Sequence, residues 1–191
     1  MDGADQVLFF PDRLWGGRFN DDEVHNVYPV ILAKQMNNGF KEYTGRRPFI
    51  YSAGAYTGMQ QYAATWTGDT GGDASTMIGI FNYCMACHTN VSCDLEVTTP
   101  DKLHYGFLLP YAQFLCWAQW QYPWFLDKDK EDMIRSYSKL RSSLFPYIYT
   151  MNYRNNQELE PLVQPMYYTY PKKSAAYEMK NQFFFRKAYM V

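Results

Sequence analysis

Charge of one sign is what this sequence lacks most clearly: 18 Lys plus Arg stand against 19 Asp plus Glu, for a formal −1 and a pI near 6.3. Gripping a phosphate backbone or an anionic bilayer takes a cationic surplus, so neither nucleic acid nor a membrane is expected as a partner. No uncharged apolar run reaches the roughly 18 residues of a spanning helix. The opening residues lack the basic head and apolar middle of a signal peptide. A soluble chain is expected, and a longer parent could be cytoplasmic or exported. Repeats and low-complexity linkers are also missing, so the chain reads as one unit. Cysteine is scarce, at four. Cys84, Met85, Ala86, Cys87 and His88 spell C-x-x-C-H, the form of a c-type haem attachment site, but that chemistry needs an exported, mostly helical scaffold with an axial ligand. Adding Cys93 leaves a zinc site without its second spaced pair. Reduced, mostly buried thiols fit better.

What is present is an apolar, aromatic-rich chain of 191 residues, 47% hydrophobic, with 13 Phe, 5 Trp and 18 Tyr. That is enough to bury one substantial core. Aromatic rings cover the flat C–H faces of sugars, although an aromatic core explains the same excess. Asn20 followed by Asp21, Asp22 and Glu23 has the form of a capping box, and Val24, Val27, Tyr28, Ile31, Leu32 and Met36 then recur at helical spacing. Pro29 is expected to kink this helix and Gly45 to end it. Phe49, Ile50 and Tyr51 have the length of a buried parallel strand, as do residues 62–66, and residues 73–84 read as a helix with Asp73 or Ser75 as its cap. Met133, Tyr137, Leu140 and Leu144 mark an amphipathic helix that Pro146 should distort, and Leu162 and Val163 begin another strand. Alternating strands and helices without hairpin signals predict an α/β fold with a parallel sheet, doubly wound or closed. No glycine fingerprint for a dinucleotide follows any strand, which favours the barrel.

In such a barrel, catalytic groups sit where strands give way to loops on one face. Asp69 is the clearest candidate, in a turn with Gly71 and Gly72 directly after a strand-like run. The alternative is an Asp that caps the next helix. Asp94, after Val91, Ser92 and Cys93, is a weaker case. Asn90, Val91 and Ser92 form a glycosylation sequon of little weight.

Taken in order, Arg47-Pro48-Phe49-Ile50-Tyr51-Ser52, Gly58, Tyr62 and Ala64-Thr65-Trp66-Thr67-Gly68-Asp69 resemble consecutive segments of glycoside hydrolase family 31. So do Ser92-Cys93-Asp94, Leu140-Arg141, Pro146-Tyr147-Ile148-Tyr149, Asn181-Gln182-Phe183 and Met190-Val191. The resemblance implies a partial (β/α)8 TIM barrel running from the end of strand 4 through strand 8. Residues 1–191 would then be a fragment of the catalytic barrel, with its N-terminal half and the accessory β domains missing. It also implies a retaining α-glycosidase that needs no metal or other cofactor and takes a carbohydrate as partner. Asp69 matches the general acid/base and Asp2 the nucleophile, while Trp66 and Asp94 would line the sugar pocket.

Retention requires two carboxyls roughly 5 to 5.5 Å apart, one attacking the anomeric carbon and the other protonating the leaving oxygen. Asp69 would need a raised pKa, which burial and a negative neighbour supply. Three positions depart from the family pattern: its sugar-binding arginine falls on Ala53, its pocket histidine on Gln119, and a third arginine on Gln164. Losing a guanidinium and an imidazole should change which hydroxyl pattern is accepted, so an α-galactoside or α-N-acetylgalactosaminide is expected as readily as a glucoside. The alternative is a catalytically inactive carbohydrate-binding remnant. Since a whole barrel takes about 250 residues, this half is expected, alone, to be poorly soluble, oligomeric or inactive.

Overall fold

The computed structural model describes residues 14–114 and 122–191, so Asp2 and Gln119 lie outside the described residues. The chain divides into two compact units, Met1–Trp66 and Thr67–Val191.

In the first unit, a small hairpin pairs β1 (Leu14–Trp15) with β2 (Phe19–Asn20). The expected capping signal does start a helix, with Glu23 accepting from the Asn20 backbone N–H at 2.9 Å, but α1 (Asp21–Val24) lasts one turn. A second helix, α2 (Tyr28–Thr44), begins beside Pro29. Pro29 therefore does not kink a helix; it occupies the first turn, where the N–H it lacks would have had no partner. Gly45, in the left-handed region at φ 66°, closes α2. Two short parallel strands follow, β3 (Tyr51–Ser52) and β4 (Ala64–Trp66), in register Tyr51 with Ala64 and Ser52 with Thr65. The strand expected over 62–66 thus starts two residues later, after a 3-10 turn at Met59–Gln61.

The second unit repeats the strand–helix alternation. It contains α3 (Ala74–Met85), β5 (Val91–Ser92), β6 (Asp94–Leu95), α4 (Pro100–Phe107), β7 (Gln113–Phe114), α5 (Lys128–Glu158) and β8 (Val163–Pro165). Strands β6 and β7 are parallel, Asp94 opposite Gln113. The last part departs from the all-parallel expectation. After α6 (Met166–Thr169) and α7 (Ser174–Glu178), β9 (Phe183–Phe185) pairs antiparallel with both β8 and β10 (Tyr189–Met190).

Two apolar cores fill this unit. Met77, Ile80 and Phe81 of α3 meet Val91, Leu109, Ile148, Leu162, Val163, Phe183 and Phe185, while Leu103 and Phe107 of α4 meet Leu95, Val97 and Ile134. The first core explains why Pro146 does not break α5, which runs unbroken for 31 residues. A proline inside a helix costs about 3 kcal/mol. Packing on both sides offsets that cost, since Leu144, Tyr147, Ile148 and Met151 all rest on the core and the Tyr147 hydroxyl donates to the Phe185 carbonyl at 2.7 Å.

Candidate active site

The loop over residues 67–72 is fixed by its backbone before any side chain is considered. Thr67 N–H donates to the Ser92 carbonyl (2.9 Å), Asp94 N–H to the Gly68 carbonyl (3.1 Å), Gly71 N–H to the Asp94 carbonyl (3.1 Å) and Glu96 N–H to the Gly71 carbonyl (3.2 Å). The loop therefore runs alongside β5 and β6, anchored on either side of Asp69. Keeping that register across so short a turn puts Gly68, Gly71 and Gly72 at φ 80°, 80° and 84°. A side-chain-bearing residue there pays roughly 1–2 kcal/mol. Asp69 projects from the loop as an exposed residue. Behind it, the Thr67 and Thr70 hydroxyls lie 2.8 Å apart, and the Thr76 hydroxyl donates to the Thr70 carbonyl at 2.8 Å. The helix that follows is capped by Asp73, which accepts from Thr76 N–H at 2.9 Å, so the capping role considered for Asp69 belongs four residues later. The Ser75 hydroxyl, then the Thr76 N–H, holds the Asp73 carboxyl below the usual carboxylate range.

Asp94 opens β6 as a buried carboxylate, 8% exposed, and its Oδ1 accepts a hydrogen bond from the Gln113 amide on β7. The structure thus brings the backbones carrying Asp69 and Asp94 together. Between Asp94 and β5, burial first, and then the negative charges of Asp94, Asp73 and Glu96, push the Cys93 thiol up to about 12, so it is no nucleophile near neutrality. Cys84 is likewise buried with a raised pKa, and only Cys87 of these three thiols is exposed. Glu96 is paired with Lys102.

Trp66 and Ala53 belong to the first unit. Trp66 is 5% exposed and packs edge-on against Tyr51 at 6.0 Å, and its indole N–H is buried without an acceptor among the described residues. Ala53 follows β3 and presents only a methyl group. Gln164 is fully buried in β8; its amide nitrogen donates to the Pro161 carbonyl at 3.0 Å while its oxygen has no partner among the described residues. Among those residues, no three His, Cys, Asp or Glu side chains converge on a metal position.

Two residues were missed by sequence reasoning. Gln113, which holds Asp94, lies 19 positions away in the chain. Arg141 stood inside a recognised segment without a role; its guanidinium donates to the carbonyls of Phe107 and Leu109 (both 2.7 Å) and Pro110 (3.0 Å), tying the lead into β7 to α5. No local pattern announces either contact.

The model of the glycosyl hydrolases family 31 TIM-barrel domain matches residues 11–151. The chain belongs to glycosyl hydrolase family 31. Its fold is therefore the α/β TIM barrel of that family, of which the strand–helix alternation and the parallel β3–β4 and β6–β7 pairs are parts. It is 27% identical over 176 residues to alpha-glucosidase 2 of Bacillus thermoamyloliquefaciens, covering 84% of this chain and 22% of that protein. It is 26% identical over 187 residues to alpha-xylosidase 1 of Arabidopsis thaliana, covering 88% and 20%. A family 31 dextranase from Flavobacterium johnsoniae, solved with glucose, superposes with a TM-score of 0.78 at 23% identity, over 90% of this chain and 24% of that one. The chain spans about a fifth of the length of these curated relatives. Among the described residues, no helix is long and apolar enough to cross a membrane.

Proposed function

We propose that the chain supplies the acid/base half of the active site of a retaining α-glycosidase that cleaves terminal α-linked sugars. The observation that carries this reading is Asp69, held out by a glycine-bracketed loop whose backbone is bonded on both sides to the segment carrying buried Asp94. Family membership and the names of the relatives, an alpha-glucosidase, an alpha-xylosidase and a dextranase, support it. Asp69 protonates the leaving oxygen and then serves as base to the attacking water, the order that retention requires. Asp2 is the nucleophile. Asp94, Trp66, Ala53 and Gln119 line the sugar pocket, and the buried indole N–H of Trp66 is a donor suited to a substrate oxygen. On this reading residues 1–191 run from the end of barrel strand 4 through strand 8, and other parts of the same protein complete the barrel and add the β domains.

Specificity is proposed to be shifted. With Ala53, Gln119 and Gln164 where the family pattern has two arginines and a histidine, charge-assisted contacts to particular hydroxyls are gone. An axial hydroxyl or an N-acetyl group would then be accepted, making α-galactosides or α-N-acetylgalactosaminides substrates. The same losses favour a second reading, a binding remnant without turnover. Nitrophenyl α-glycosides given to the full-length protein separate these readings. The expected result is hydrolysis that Asp69→Asn lowers by about 10²–10⁴-fold on substrates needing a protonated leaving group. A strict preference for α-glucoside overturns the shifted specificity. Intact sugar binding without any turnover overturns the glycosidase.

A further inference from the structure

Asp94 and Gln113 stand opposite each other in the parallel pair β6–β7, and their neighbours Leu95 and Phe114 form the next matched pair. Leu95 and Phe114 both pack on the second core, Phe114 edge-on to Phe107 at 5.6 Å, so that face of the sheet is turned to α4 and α5. Successive side chains on a strand point to opposite faces, which turns Asp94 and Gln113 away from those helices. In a barrel closed on itself that is the interior face, and its carboxyl-terminal end is where the active site is built. There the Gln113 amide nitrogen donates to Asp94 Oδ1.

The backbones that carry the two residues are themselves held, which leaves the side-chain torsions as the main freedom. Asp94 N–H donates to the Gly68 carbonyl at 3.1 Å, and its carbonyl accepts from Gly71 N–H at 3.1 Å. The lead into β7 is fixed twice. The Ser92 hydroxyl donates to the Tyr111 carbonyl at 2.7 Å, and Arg141 donates to the carbonyls of Phe107, Leu109 and Pro110. A carboxylate offers about four acceptor positions on its two oxygens. An amide donor takes one of these and brings no charge of its own, so it orients the carboxylate without neutralising it. A ligand hydroxyl that donates to such a carboxylate makes a charge-assisted bond, and that bond weakens steeply when misdirected. The direction of Asp94 therefore decides which hydroxyl it can hold.

We propose that Gln113 is a positioning residue for sugar binding: its amide sets the rotamer in which the Asp94 carboxylate meets a hydroxyl of a neutral sugar ring. This rests on the pocket role given to Asp94 above and needs no chemistry from Asp69. It is tested on the full-length protein by calorimetric titration with glucose, galactose and N-acetylgalactosamine. Wild type is compared with Gln113→Leu, Gln113→Glu and Asp94→Asn, each checked for folding by circular dichroism. Gln113→Leu should raise the Kd of the tightest-bound sugar by at least about fivefold, whatever the pH. Gln113→Glu, which keeps the shape of the side chain, should raise it at neutral pH because two facing carboxylates repel. On acidification the pair shares a proton, the new carboxyl donates to Asp94 as the amide did, and the Kd should return toward that of wild type. Asp69, Asp73, Cys93 and Glu96, the other titratable groups of the surrounding segments, are present in both proteins and cancel in the ratio of their Kd values. A ratio that stays constant with pH overturns the proposal, since a merely structural role would leave it so. An unchanged Kd in Gln113→Leu overturns it too, as does a protein that binds none of the three sugars. An unchanged Kd in Asp94→Asn removes the pocket role of Asp94 and the proposal with it, while the glycosidase is judged separately by Asp69→Asn. Binding that responds as expected in a protein that hydrolyses no glycoside supports the proposal and removes only the glycosidase.

Discussion

Helices α2 and α3 follow strands or turns of similar length, yet they are stabilised differently. On α3, Thr76, Met77, Ile80, Phe81 and Cys84 are all buried, and the helix is sealed into the core of the second unit. On α2, only Pro29, Ala33 and Asn37 are buried, while Ile31, Met36, Phe40 and Tyr43 are 44% to 92% exposed. Both apolar cores belong to the second unit. Asp69 and Asp94 therefore sit on the part of the chain with its own packed interior, where burying a large apolar side chain contributes roughly 1.5–3 kcal/mol.

The sharpest way to break this contrast is a pair of truncations. Phe183→Ala removes a fully buried ring that meets Phe81 at 5.9 Å, and should cost about 3–5 kcal/mol. Phe40→Ala removes a ring that is 44% exposed, and should cost under about 1 kcal/mol. Urea denaturation checks both, and equal losses would erase the distinction between the units. Next in size is Arg141→Met, which keeps the apolar stem but strips the donors from the carbonyls of Phe107, Leu109 and Pro110. A loss of about 2–3 kcal/mol is expected, with hydrogen exchange rising first around residues 107–114.

The smallest loss expected within the second unit concerns the start of α3. Asp73→Ala should cost about 1 kcal/mol at neutral pH through loss of the cap. The folded-state pKa of Asp73 is depressed below its unfolded value, chiefly by the Ser75 hydroxyl. Its stabilisation is therefore complete above the unfolded carboxylate pKa and disappears as pH falls through the lower folded value. Wild type and variant should converge in thermal stability on acidification below that range, and a constant gap would assign the effect to something other than the carboxylate.

Much of the fold was legible because its signals are local. The start of α1, the Asp73 cap and the Gly45 stop are each written within four residues, and the loop at Asp69 stands out through its glycines. The misreadings arise where position in the fold decides. Pro29 was given its intrinsic effect, but it sits in the first turn of a helix, where a missing N–H is harmless. The antiparallel return of β9 onto β8 follows two short helices, so no hairpin turn advertises it. At the site, Asp69, Asp94, Trp66 and Ala53 could be singled out in the sequence. Gln113 and Arg141 could not, because their partners lie 19 and 31 to 34 positions away and only the folded backbone brings them close.

The environment of Gly71 has one more consequence. A methyl group placed there would come within 3.0 Å of the Glu96 carboxyl carbon and 3.1 Å of the Lys102 ammonium. An alanine at position 71 would thus press on an ion pair rooted in another segment, and that push could reach the orientation of the carboxyl two residues earlier. The loop carrying Asp69 is in this way coupled to a half-buried ion pair, and Gly71→Ala would disturb that pair as well as strain its own left-handed backbone.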